Sequence, residues 1–235
     1  MPNEEFAARR YALPPGSKLG KRLTYAAASH WLAICCAVIG SYVGLAVLPA
    51  VLLKLGFVRG AALIYRLFWP VCHQFAYRSW FLFGSQFSYA ADEFMLVTGI
   101  DPYTAAGRLA SKNFVGDAVL GYKLALCERD IAIYGGMLLA SLAYAAWRSA
   151  GREVVPLHWI GYGLLGVAPI AFDGVSQLLS QPPFDLFGLA LRESTPLLRS
   201  LTGALFGTAS VWMAFPHLDV WMQVVREDLE ELTGA

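Results

Sequence analysis

Charge is what this chain has least of. Asp, Glu, Lys and Arg make up 15% of the 235 residues and hydrophobic types 57%, with a mean hydropathy of +0.51. Soluble domains carry about a quarter charged residues, so the composition excludes an ordinary soluble domain and indicates a membrane protein. Neither sign of charge dominates. The formal net charge is +1, and there is no Gly-rich phosphate loop and no basic run interleaved with aromatics, so nucleic acid is not expected as a partner. Cysteine is also scarce: the four at positions 35, 36, 72 and 127 are too few for a disulfide framework, and Cys35-Cys36 lies in an apolar run as packed or lipid-facing thiols. G-x-S-x-G, H-E-x-x-H and Walker patterns are missing, and no two histidines fall on facing helices, which argues against a standard hydrolase, an ATPase or a cytochrome. The hydrophobic segments show no clear internal repeat, against an inverted-repeat transporter. Residues 1–29 carry Arg9, Arg10, Lys18, Lys21 and Arg22 but no apolar core ahead of a small-residue cleavage site. They read as a cytoplasmic arm rather than a secretory signal.

What the chain does have is long apolar runs. His30 to Leu53 is long enough, at about 1.5 Å per helical residue, to cross a hydrocarbon layer of about 30 Å. Further spans are expected near 131–148, 158–179 and 197–215, the last with Gly203 and Gly207 as a small-xxx-small packing face. Residues 55–70, interrupted by Arg59 and Arg66 on one helical face, suit a helix lying in the interface, with a short re-entrant segment as the competing reading. The aromatic stretch from Phe75 to Tyr89 suggests a short helix at the membrane–water boundary. An extramembrane insertion near 90–127 is expected to hold two short helices, and Pro182-Pro183 to break the chain before the short apolar connector Phe184 to Leu191. The expected fold is therefore all-α: four transmembrane helices in a membrane domain over 30–216, with interfacial and extramembrane helices on the outer side and an acidic cytoplasmic tail at 217–235. Lys18, Lys21 and Arg22 before the first span, and Arg148 and Arg152 after the second, put both termini in the cytoplasm, in a multi-pass protein of the cell membrane.

Polar residues from three chain regions then meet at the outer face. Val71-Cys72-His73-Gln74 with Arg78-Ser79 precedes the insertion, Cys127-Glu128-Arg129-Asp130 follows it, and Asp173 and Gln177, four apart and so on one helical face, join from the third span with Arg192 and Glu193. Ionisable groups beside membrane spans are costly in hydrocarbon and mark function by default. Two thiolates, an imidazole and a carboxylate form a donor set that a divalent metal such as zinc accepts, and Cys127 and Asp130 are spaced like a C-x-x-C half-site, so Cys72, His73, Cys127 and Asp130 are the candidate ligands. A Cys72–Cys127 disulfide accounts for the same thiols in an oxidising exterior, and unpaired structural thiols are the third alternative. Gln74, Arg78, Arg129, Asp173, Gln177, Arg192 and Glu193 form the surrounding cluster, contacting substrate or serving structure. Arg78 is expected to reach Asp130 or a lipid phosphate, Asp173 to pair with Arg192 or Arg199 if its role is structural, and Glu128 to sit in a solvated charge run.

CHQFAYRSWFLFG at 72–84, CERDIAIYGG at 127–136, FDGVSQLL at 172–179 and RESTPLLRSLTGALFG at 192–207 resemble, in order, a family of bacterial and archaeal multi-pass membrane proteins of unknown function marked by a Cys-His-Gln signature. The resemblance implies a membrane location and a recurring polar cluster. Many members carry C-x-R-C where this chain has Cys127, Arg129 and Asp130, so a carboxylate stands here in place of a thiolate. Two functions from different classes fit. One is a metal-dependent or lipid-acting membrane site, and the other a non-catalytic accessory subunit of a larger respiratory or photosynthetic membrane complex, in which the cluster is a disulfide or structural staple. The bilayer is the partner common to both.

Overall fold

The computed structural model describes residues 18–181, 184 and 192–233. Arg9, Arg10, Pro182-Pro183 and most of the expected connector lie outside the described residues. Seven helices carry the architecture: α1 Lys18–Lys54, α2 Val58–Phe68, α3 Ala91–Thr98, α4 Ala105–Asn113, α5 Glu128–Ser149, α6 Trp159–Leu179 with a π-helical turn at Gly163–Val167, and α7 Pro196–Thr233. By length and composition α1, α5 and α6 are apolar enough to cross a membrane. The stretch expected as the fourth span, 197–215, lies within the 38 residues of α7, which packs lengthwise against α5.

Small residues bring α5 and α7 together. A Cβ added to Gly203 would lie 2.7 Å from the Arg129 carbonyl, one on Gly136 would lie 2.9 Å from that of Ala204, and one on Gly207 would run into the Ile133 carbonyl. Backbones this close gain dispersion contact without any hydrophobic drive, which lipid does not supply. At the far end Trp31, Tyr144 and Phe215 meet edge to face, with centroids 5.1–6.3 Å apart. Asp219 beside them accepts from Trp31 Nε1 at 3.3 Å and pairs with Arg148 at 3.0 Å.

Several elements differ from the sequence reading. α1 is described from Lys18, so Lys18, Lys21 and Arg22 of the expected arm belong to the first helix. α7 continues without a break through Pro216 to Thr233. Phe75 to Tyr89 does not form a helix: it makes a single 3-10 turn at Ala76–Arg78 and the strand β1 Phe81–Leu82. The aromatics there are not a boundary girdle. Tyr77, Phe81 and Tyr89 are buried with Phe94 of α3 in the core of a small unit of short helices and strands. That unit includes the two expected short helices and an unforeseen antiparallel sheet of order β1-β3-β2, in which Phe81 faces Lys123 and Gly116 faces Tyr122 (β2 Gly116–Asp117, β3 Gly121–Lys123). The sheet needs Gly121, whose φ of +85° and close approach to the Leu82 carbonyl leave no space for a side chain. Strands of two or three residues are too short to show alternation, which is why the sequence did not disclose them.

This small unit is tied to the bundle through α1. Pro49 cannot donate to the preceding turn, and in that turn the Ala46 carbonyl accepts from Ala125 N at 2.9 Å. The chain is thereby fixed just ahead of Cys127.

The helix contact generates a direct test. Gly207→Ala should destabilise the protein in detergent by about 1–3 kcal/mol through overpacking. Gly135→Ala, where nothing lies within 4 Å, should stay within about 0.5 kcal/mol of the parent. Equal melting midpoints for the two variants would contradict the packing described.

Candidate functional site

Pro70 ends the reach of α2, and the chain leaves the helix with Cys72 N donating to the Phe68 carbonyl at 3.1 Å. Burial then alternates along the chain. Cys72 and Gln74 turn inward and are buried, while His73 turns outward. The register is held by an unusual backbone: Gln74 has φ +55°, a conformation that costs a non-glycine residue energy unless its surroundings impose it. Here they do. Gln74 Nε2 donates to the Tyr65 carbonyl at 2.8 Å, and the Gln74 carbonyl accepts from the buried Lys123 Nζ at 2.7 Å. Lys123 also donates to the Lys112 carbonyl at 2.6 Å, and Tyr65 OH returns a bond to the Lys123 carbonyl at 2.5 Å.

Held in this way, Cys72 meets the N-terminus of α5. Its Sγ accepts from Cys127 N at 3.3 Å, and the Cys72 and Cys127 sulfurs and an Asp130 carboxylate oxygen all lie within 4.8 Å of one another. The thiols are unbridged. The hydrogen bond from Cys127 holds Cys72 below the usual thiol range despite its burial, and the same bond, followed by burial, pushes Cys127 well above it. His73 is not with them. Its ring is exposed and lies 5.6 Å from that of Phe75, while its neighbours Cys72 and Gln74 are buried. The four ligands expected from the sequence are therefore three in space.

A second polar centre fills the same end of the bundle. Arg199 of α7, 2% exposed, pairs with Glu128 and Glu193, each at 2.7 Å. Arg78 grips Glu193 with two bonds of 2.7 and 2.6 Å, and Gln177 and Gln181 donate to the same carboxylate at 2.6 and 2.8 Å. Asp173, also buried, accepts from Arg129 at 2.5 Å, Arg192 at 2.9 Å and Ser194 Oγ at 2.8 Å. Thus Arg78, Arg129, Asp173, Gln177, Arg192 and Glu193 meet in one network, with two differences from the sequence reading. Arg78 pairs with Glu193 rather than Asp130, and Glu128 is fully buried rather than solvated. Glu128, Arg199 and Ser194 are the network members whose weight the sequence reading missed. Glu128 sits one residue after an inward Cys127, and helical spacing from Ile131 and Ala132, both buried, would have turned it inward too.

The matched families can now be set beside this geometry. Residues 108–213 match the family described as Predicted membrane protein (DUF2085). The match takes in Cys127, Glu128, Arg129, Asp130, Asp173, Gln177, Arg192, Glu193 and Arg199, but the Cys72-His73-Gln74 turn lies outside it. The chain is also similar to the uncharacterized protein MJ1492 of Methanocaldococcus jannaschii, with 31% identity over 98 residues, covering 42% of this chain and 55% of that protein. It spans about half the length of this curated relative. No solved structure matches. With its apolar helices, the protein is a membrane protein of the all-α class.

Two predictions come from the site. Removing one partner of a buried ion pair leaves an uncompensated charge, so Arg199→Met should cost about 3–5 kcal/mol, and adding Glu128→Leu should recover part of the loss. Additive losses, read by denaturation in detergent, would show that the pair is not coupled. The second concerns pH. Burial pushes the Lys123 amine down to about 7, aided by Lys112 and opposed by Cys72. Between that value and the ordinary 10.5 the unfolded chain binds a proton that the folded chain does not, so stability rises with pH through this window. The melting midpoint should climb between about pH 7 and about pH 9, and Lys123→Met should flatten the climb. A parallel slope in the variant would assign the effect elsewhere.

Proposed function

We propose that Cys72, Cys127 and Asp130 hold a divalent metal, zinc by the softness of two thiolates, at the outer face of the membrane, with α7 as a fourth crossing helix. The observation that carries this is the meeting of three metal-competent atoms from two distant chain segments within 4.8 Å. Zinc bonds of about 2.0–2.3 Å set tetrahedral ligands about 3.5–3.8 Å apart, so small inward rotations close the site. With His73 turned outward, three protein ligands leave a fourth position for water or substrate, as in catalytic rather than structural zinc sites. A bound water there would lose its proton near neutral pH and become a nucleophile. The adjoining arginine and carboxylate network then positions what the metal acts on, a lipid or a small molecule at the membrane surface.

Elemental analysis of the detergent-purified protein, with thiol counting, tests the reading. About one equivalent of zinc is expected, lost in Cys72→Ser, Cys127→Ser and Asp130→Ala but retained in His73→Ala. Absence of metal together with a Cys72–Cys127 disulfide would overturn it in favour of the structural staple.

A further inference from the structure

Among the described residues the network at the end of the bundle is unbalanced in charge: four guanidiniums, Arg78, Arg129, Arg192 and Arg199, face three carboxylates, Glu128, Asp173 and Glu193. Asp130 is turned to the thiols and makes no ion pair with these arginines among the described residues. Once Asp130 serves a metal, as in the reading above on which this inference rests, the guanidinium excess stands. It is localised. Glu128 and Glu193 occupy Arg199 and Arg78, whereas Arg129 and Arg192 divide the single carboxylate of Asp173 between them. These two are also the most exposed members, at 23% and 34% against 19% and 2% for Arg78 and Arg199. Arg129 Nε is buried and has no protein partner. Its Nη1 passes 3.3 Å from where a side chain on Gly174 would begin, so the bare glycine makes the room that the guanidinium occupies.

The surroundings narrow the ligand class. On α6, Ser176 accepts from Arg192 Nη1 at 2.6 Å and shares a helical face with Phe172, which is exposed, as are Val175 and Leu178 further round the same helix and Leu197 and Leu201 on the outward face of α7. Apolar side chains of this size facing outward on helices of a membrane protein face acyl chains. A cation pair bordered by such faces meets an anion that has an apolar body attached. We propose that Arg129 and Arg192 form a binding site for the phosphate group of an anionic membrane lipid, with its acyl chains along the outward faces of α6 and α7. Asp173 holds the two guanidiniums in place, and their forks suit phosphate oxygens. The site thereby gives the metal centre a substrate class, phosphate-bearing lipids.

The test titrates short-chain phosphatidylglycerol, glycerol phosphate and inorganic phosphate into full-length protein in detergent and follows the melting midpoint, with metal content measured on the same samples. The wild type should be stabilised by the lipid at concentrations at least about tenfold below those needed for glycerol phosphate, and Arg129→Gln and Arg192→Gln should each weaken lipid binding by about tenfold while keeping their metal. Gly174→Leu, which displaces the Arg129 guanidinium without removing a charge, should weaken it as well. Its ligand-free melting midpoint shows whether it is folded. Unchanged lipid affinity in folded Arg129→Gln and Arg192→Gln overturns the site, and glycerol phosphate binding as tightly as the lipid overturns the lipid assignment. Lipid binding that persists in metal-free Cys127→Ser separates this proposal from the metal reading, since each then stands or fails by its own measurement.

Discussion

The structure depends on burying charge at one end of a helix bundle. Arg199 and Glu128 are almost inaccessible to water, and a guanidinium and a carboxylate withdrawn from water are tolerable only when opposite charges and hydrogen bonds surround them. Satisfying Arg199 requires α5 to bring Glu128 and the segment before α7 to bring Glu193. Satisfying Glu193 draws in Arg78 from the small unit and Gln177 from α6. Each demand fixes another element, so the register of three helices and the aromatic turn follows from one buried arginine. The close glycine contacts of α5 and α7 set how near the helices come, and the ion pairs set how far one slides along the other.

The same constraint explains how the thiols meet. Cys127 stands directly before Glu128, so the residue that anchors α5 to Arg199 also delivers a sulfur to the mouth of the bundle. Cys72 arrives from the opposite side, held by the Gln74 clamp on Tyr65 and Lys123. Neither placement relies on a bond between the sulfurs. The donor atoms are thus positioned by the fold.

Much of this was legible in the sequence, and the limits were physical. The apolar runs gave α1, α5 and α6 because a helix that faces lipid must be apolar over its whole length. The convergence of Asp173, Gln177, Arg192 and Glu193 could be read because polar residues near spans have few places to go. His73 was read as a ligand because a sequence shows that it neighbours Cys72 but not which way the chain faces, and that direction is decided by Gln74 bonding to residues 9 and 49 positions away. Glu128 was read as solvated because its partner is 71 residues distant. The aromatic-rich segment was misplaced for a related reason: aromatics serve a membrane boundary and a small compact core equally well, and only the sheet pairing distinguishes the two.

Arg199 and Asp219 lie on the same uninterrupted helix, twenty positions apart, which at about 1.5 Å per residue is about 30 Å, the depth of a hydrocarbon layer. One is locked into the network at the α5 N-terminus, and the other is bound to Trp31 and Arg148 at the opposite end. α7 therefore carries a polar anchor at each end of this length. If α7 crosses the membrane as proposed, a bilayer thinner or thicker than the distance between the anchors would press on one of them.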